Sequence, residues 1–249
     1  MNVQPPLSRR VEYLLADFAE RSHARGVSEA ADEVESLYVA GNDTLLARLA
    51  PVLMRAQYQS HVQDQLDTER ERLHHGHLDH QERVSAGHHY EVLRHAACEF
   101  NHLLRGFIEG HREELTRDEL KGALVEASHG HERWAEAEIT GSVSEIALHA
   151  ALMGMPELTG MRYGTLDEDL RGFDFTAIWQ GQQMTIDAKT GRYAPIAELQ
   201  RGYCHLEIYV PRDCMDGFRL TRHGLDSLRR EVRVALNQAK RINPPPQLA

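Results

Sequence analysis

A change of pattern near residue 155 constrains this chain more than any other feature. No clear β-type run precedes that point, whereas two follow it, Gly172 to Trp179 and Met184 to Gly191, joined by the short polar turn Gln180 to Gln183. The chain therefore reads as α+β, with an all-α N-terminal module followed by a mixed α and β domain. The boundary is expected near residue 131, giving a helical module over 1–131 and a second domain over 132–249.

The helical half is built from apolar residues at helical spacing. Val11, Leu14, Leu15 and Phe18 mark a first helix with Gly26 as its stop, and a second runs from about Glu29 to Ala40 and ends at Gly41. Asp43 suits a cap for a third segment, and Pro51 suits the first turn of the helix after it. From Gln57 to Gly76 only Val62, Leu66 and Leu73 form a stripe, thin enough to suggest an arm or a partner-facing helix. Leu93, Ala97, Phe100, Leu104 and Phe107 line a stronger helix, and Thr116 to Glu119 form a capping box. The helical half is expected to mediate self-association.

The second half carries the candidate chemistry. With Gly181-Gln182 as a two-residue type II′ loop, Trp179 faces Met184, Thr176 faces Asp187, and Asp174 faces Lys189. Asp174, Asp187 and Lys189 then share one face, with the two aspartates as diagonal neighbours. Two carboxylates and an ammonium so placed suit a hard divalent cation held against a phosphodiester. They also suit an ordinary ion-pair cluster on a solvated face.

Around this hairpin the residues suggest a helix over Gly141 to Gly154, a short strand around Met161 and Tyr163, a short helix over Ala194 to Gly202, and a buried strand from His205 to Val210 stopped by Pro211. With Glu145 on the first helix, Asp174 opening one strand and Asp187-x-Lys189 on the next, residues 139 to 212 resemble the PD-(D/E)xK nuclease superfamily. Phe173 stands where the family's pattern has Pro. The resemblance implies a restriction-endonuclease-like αβββαβ core and metal-dependent hydrolysis of a nucleic-acid backbone. Asp174, Asp187, the backbone carbonyl of Ala188 and Glu145 would hold Mg²⁺ or Mn²⁺, and Lys189 would orient the attacking water or stabilise charge on the phosphorane. Ser142 to Glu145 is equally a capping box, in which Glu145 would bond the Ser142 N–H. Thr190, Arg192 and Gln200 are weaker candidates for phosphate contact.

The expected partner is nucleic acid, most simply DNA, and a dimer or other homo-oligomer would cut both strands. A non-catalytic nucleic-acid-associated protein that keeps the fold is the alternative. The formal charge of −10 resides entirely in the first half: residues 1–138 hold 25 acidic and 15 Lys/Arg side chains, whereas residues 139–249 hold 13 of each. Any phosphate-tracking surface must be local, with Arg192, Arg201, Arg212, Arg219, Arg222, Arg229, Arg230 and Arg233 as candidates.

Histidine is concentrated in the first half, where 13 of 16 occur. His77 with His74 or His80 could bind a metal at i,i+3 on a helix, although a solvated Arg/Glu/His-rich face explains them as well. Three cysteines without C-x-x-C spacing argue against a disulfide framework or structural zinc. No apolar run approaches the ~20 residues of a membrane span. Met1 to Pro6 lacks a signal-peptide pattern, so a cytoplasmic protein is expected.

Overall fold

The computed structural model describes residues 6–25, 27–40, 44–191, 193–200 and 203–242. The chain divides into two compact units, Met1–Ile139 and Thr140–Ala249. Gly26, Gly41, Asp43, Arg192, Arg201 and the Pro244–Pro246 tail lie outside the described residues.

The first unit is helical: α1 (Leu7–Arg25), α2 (Val27–Ala40), α3 (Thr44–His75), α4 (His80–His111) and α5 (Arg117–Ala127), with the start of α6 (Glu132–Met153). α3 and α4 are 32 residues each, or about 48 Å long. They form a hairpin in which α4 is the principal neighbour of α3. Val62, Leu66 and Leu73 lie half-buried along α3.

Pro51 sits inside α3 rather than in a first turn. An interior Pro costs about 3 kcal/mol. Around it Leu46, Leu49, Val52 and Leu53 are all fully buried, and each buried side chain of this kind contributes roughly 1.5–3 kcal/mol. Burial wins, and the helix runs through. The Thr116 capping box forms as expected, with Glu119 N–H donating to Thr116 Oγ1 and Thr116 N–H to Glu119 Oε2.

The second unit has a mixed five-stranded sheet, made of β1 (Leu158–Tyr163), β2 (Phe175–Trp179), β3 (Gln182–Thr190), β4 (Ile196–Gln200) and β5 (Tyr203–Val210) in the order β1-β2-β3-β5-β4. A one-turn helix, α7 (Leu166–Asp169), lies between β1 and β2, and α8 (Arg222–Ile242) closes the described chain. β3 and β5 are parallel, and the other neighbouring strands are antiparallel.

Strand periodicity sorts the sheet into two faces. Phe175, Ala177, Trp179, Met184, Ile186, Leu206, Ile208 and Val210 join Leu148, Ala151 and Leu152 of α6 and Leu228, Val232 and Leu236 of α8 in one apolar core. The alternate positions, including Thr176, Thr185, Asp187, Lys189, His205 and Glu207, fall on the other face.

Three expectations are corrected. The hairpin turn is Gln180-Gly181, both at positive φ (51° and 76°), which is the mark of a type I′ turn rather than type II′. Trp179 therefore faces Gln182 and Thr176 faces Thr185. The ladder has moved by two residues, and because the side-chain period is also two, every residue keeps its face.

The second correction concerns Ala194–Gly202, expected as a helix, where residues 196–200 form β4 instead. Isolated helices this short are marginal in water, whereas a strand here pairs with the outer edge of β5, which otherwise lies open. The αβββαβ order is thus not what this sheet shows: a strand stands where its second helix was expected.

Third, α6 begins at Glu132, so Ser142 to Glu145 lie mid-helix and form no N-terminal capping box. Gly141 in the helix interior costs about 1 kcal/mol. Its neighbours Ile139, Val143 and Ile146 are buried and offset that cost.

Candidate functional site

The polar face of the sheet gathers its titratable residues where β2 begins. Pairing of β2 with β3 ends at Phe175 and Ile186. One step further, Asp174 stands opposite Asp187, not opposite Lys189 as expected from the sequence. With no strand partner there, the Ala188 N–H donates to Asp174 Oδ2 at 2.6 Å. A residue's N–H and C=O leave a strand toward the same side, so the Ala188 carbonyl is directed to this same corner.

Two features fix Asp174. Its carbonyl accepts the Gly164 N–H at 2.7 Å. Gly164 has no room for a side chain, because a Cβ there would lie 2.3 Å from the Phe173 carbonyl oxygen. The α7 turn tightens the approach: Thr165 caps it, Glu168 returns to the Thr165 N–H, and Arg162 grips both Glu168 oxygens at 2.7 and 2.8 Å. The Arg162 hydrogen bonds, despite partial burial, pull the Glu168 carboxyl down to about 2.

α6 supplies Glu145. One turn further on, His149 stacks on Phe175 with centroids 6.0 Å apart and rings 7° from parallel, and it also meets Tyr163 at 4.1 Å. These contacts hold α6 against the start of β2. The charge of Glu145 is felt at Asp174: burial first, then Glu145, then Asp187 push the Asp174 carboxyl well above the usual carboxylate range, with the Ala188 N–H working the other way.

Lys189 forms an ion pair with Asp187 Oδ2. Burial would lower the Lys189 ammonium, but the Asp187 hydrogen bond and the charges of Asp187, Asp174 and Glu207 outweigh it and raise it. Its side chain is 41% exposed, so the amine can reach solvent.

Sequence reasoning missed two residues here. The parallel register sets His205 beside Thr185 and Glu207 beside Asp187, on the same face. Among the described residues, Asp187, His205 and Glu207 are the one set of three ligating side chains whose atoms lie within 4.8 Å of one another. Glu145, Asp174 and Asp187 do not gather that tightly. The alternation in His205-Leu206-Glu207 signalled a shared face, but only the β3–β5 pairing shows that this face adjoins Asp187. Burial lowers the His205 imidazole despite the nearby Asp187 and Glu207 charges.

The remaining candidates lie elsewhere. Thr190 is exposed at the end of β3, and Gln200 is in β4. Arg229 donates to the Ala151 carbonyl at 3.3 Å and Arg233 pairs with Glu157 at 3.0 Å, so both tie α8 to its own unit. Arg212, Arg219, Arg222 and Arg230 are exposed. His74 and His75 end α3, His80 opens α4, and His77 lies in the link between them, so the helical i,i+3 arrangement with His77 does not form. Cys98, Cys204 and Cys214 form no disulfide. Among the described residues no helix is long and apolar enough to cross a membrane.

No family model, curated protein or solved structure matches this chain.

Proposed function

We propose that this protein is a metal-dependent nuclease that hydrolyses phosphodiester bonds, with DNA as its substrate. The observation that carries this reading is the opposition of Asp174 and Asp187 at the open end of a hairpin, with Glu145 near the first and Lys189 on the second. It is the residue set by which the chain resembles PD-(D/E)xK nucleases.

The donors fit a hard cation. Asp174, Asp187 and the Ala188 carbonyl offer only oxygen, the chemistry that Mg²⁺ and Mn²⁺ accept. Burial first, then the charges of Glu145 and Asp187, lift the Asp174 carboxyl, and a divalent cation would relieve that excess of negative charge. Glu145 would add a ligand directly or through water. Such an ion supplies Lewis-acid polarisation of the phosphate and a water made acidic enough to attack.

The chain's own residues do the rest. Asp174 and Asp187 would hold the cation through their carboxylate oxygens. Lys189, ion-paired with Asp187 and partly exposed, would turn toward the phosphate where Asp187 serves as a metal ligand. Lys189 then stabilises charge that builds on the phosphoryl oxygens, an interaction stronger in the transition state than in the ground state. One such site cuts one strand, so cleavage of both strands would use a homo-oligomer joined through the helical half.

The test is cleavage of single-stranded, double-stranded and branched DNA, and of RNA, with Mg²⁺ or Mn²⁺. Asp187→Ala is expected to abolish cleavage while the chain stays folded, and Lys189→Ala to slow the chemical step with metal binding retained. Activity that survives Asp187→Ala in folded protein removes this corner as the catalytic centre. A fragment starting at Glu132 that keeps the full-length oligomeric state would count against assembly through the helical half.

A further inference from the structure

Beside the Asp174 corner, the parallel pairing of β3 with β5 assembles a second set of ligating atoms. One ring nitrogen of His205 and one carboxylate oxygen each from Asp187 and Glu207 lie within 4.8 Å of one another. Two of the three are deeply buried, His205 at 2% exposure and Asp187 at 8%. His205 Nδ1 lies 2.9 Å from Thr185 Oγ1. That hydrogen bond engages Nδ1 and not Nε2. In the tautomer whose Nδ1–H donates to Thr185, the Nε2 lone pair is available to a cation. Proteins orient metal-binding histidines in this way, by holding the far nitrogen with a hydrogen bond.

We propose that Asp187, His205 and Glu207 bind a first-row divalent transition ion of the Mn²⁺ class, at a position that shares only Asp187 with the all-oxygen corner at Asp174. An imidazole nitrogen beside two carboxylates is a mixed donor set. It favours transition ions over Mg²⁺, which prefers oxygen ligands and holds on to its waters. Thr185 is the positioning residue of this site. Lys189 engages Asp187 through Oδ2 and is the internal cation that the ion must outcompete.

The experiment uses the full-length chain with one equivalent of Mn²⁺, read by electron spin-echo spectroscopy for nitrogen coupling and by calorimetry for affinity. The wild type is expected to show imidazole coupling that is lost in His205→Ala. Glu207→Gln, which alters no buried volume, is expected to weaken Mn²⁺ binding. Thr185→Val is expected to weaken it by roughly tenfold to a hundredfold. Asp174→Asn should leave the coupling in place. Coupling that persists in His205→Ala belongs to another histidine and overturns the proposal, as does bound Mn²⁺ without coupling in the wild type or unchanged affinity in folded Glu207→Gln. A chain that shows the coupling but cuts no nucleic acid removes the hydrolytic reading and leaves this site standing. One that cuts with Mg²⁺ but shows no coupling does the reverse.

Discussion

The Ala188 N–H donates to the Asp174 carboxylate at 2.6 Å across the end of the β2–β3 hairpin, where a backbone carbonyl would otherwise have received it. A side chain thus completes the ladder, and the carboxyl it contributes is buried and faces the charges of Glu145 and Asp187. Asp174 is held in place by the backbone and opposed by its neighbours.

That opposition gives the first prediction. A carboxyl raised above its unfolded value by burial, Glu145 and Asp187 destabilises the fold once pH exceeds the unfolded value of about 4. The penalty is absent below that pH and grows as pH rises toward the folded value. Asp174→Asn is therefore expected to raise the melting temperature of metal-free protein at neutral pH, with the gain vanishing in acid. Equal melting temperatures of the two proteins at neutral pH would show that the corner is not strained by charge.

Gly164 tests how tightly Asp174 is placed. In Gly164→Ala the new Cβ meets the Phe173 carbonyl oxygen, and overpacking of this kind costs about 1–3 kcal/mol. The displaced backbone carries Asp174 with it, and a shift of about 1 Å at a reacting centre can cost roughly a hundredfold in rate. Gly122→Ala is the control: it lies on an exposed helix face with nothing within 4 Å, so it should gain a few tenths to about 1 kcal/mol. Denaturant melts and cleavage rates on both variants decide the matter.

The turn offers a third measurement. Gln180 holds a left-handed conformation, which costs a non-glycine residue about 1–2 kcal/mol. Asn tolerates it better and, followed by Gly181, makes the favoured Asn-Gly pair of a type I′ turn. Gln180→Asn should stabilise the chain by about 0.5–1 kcal/mol with cleavage unchanged. Loss of stability would mean that the turn sits elsewhere, with a different register.

Acid titration probes the α7 turn. Glu168 falls from 4.5 to about 2 in the folded chain, chiefly through Arg162. A depressed carboxyl contributes stability that is fully present above its unfolded value and lost as pH falls through its folded one, so the window is roughly pH 4.5 to 2. Arg162 is half exposed, which limits the pair to about 1 kcal/mol. Arg162→Met should remove that amount at pH 7 and nothing below pH 2, as read by thermal melts across the range.

The sequence by itself determined the helical half, the hairpin, the buried strand after it and the face shared by Asp174, Asp187 and Lys189. These follow from local periodicity and capping chemistry, which need no knowledge of distant residues. Even the misplaced turn did little harm, because a shift of two residues preserves which side chains face together. Tertiary pairing decided the rest. Whether residues 196–200 became helix or strand depended on β5 offering an open edge, and whether Ser142 began a helix depended on packing around Ile139 and Val143. His205 and Glu207 lie some twenty residues beyond Asp187, and only the parallel register of β3 and β5 brings them beside it. Periodicity reports which face a side chain takes, but the identity of the neighbouring strand is a long-range choice set by burial and by satisfaction of the backbone.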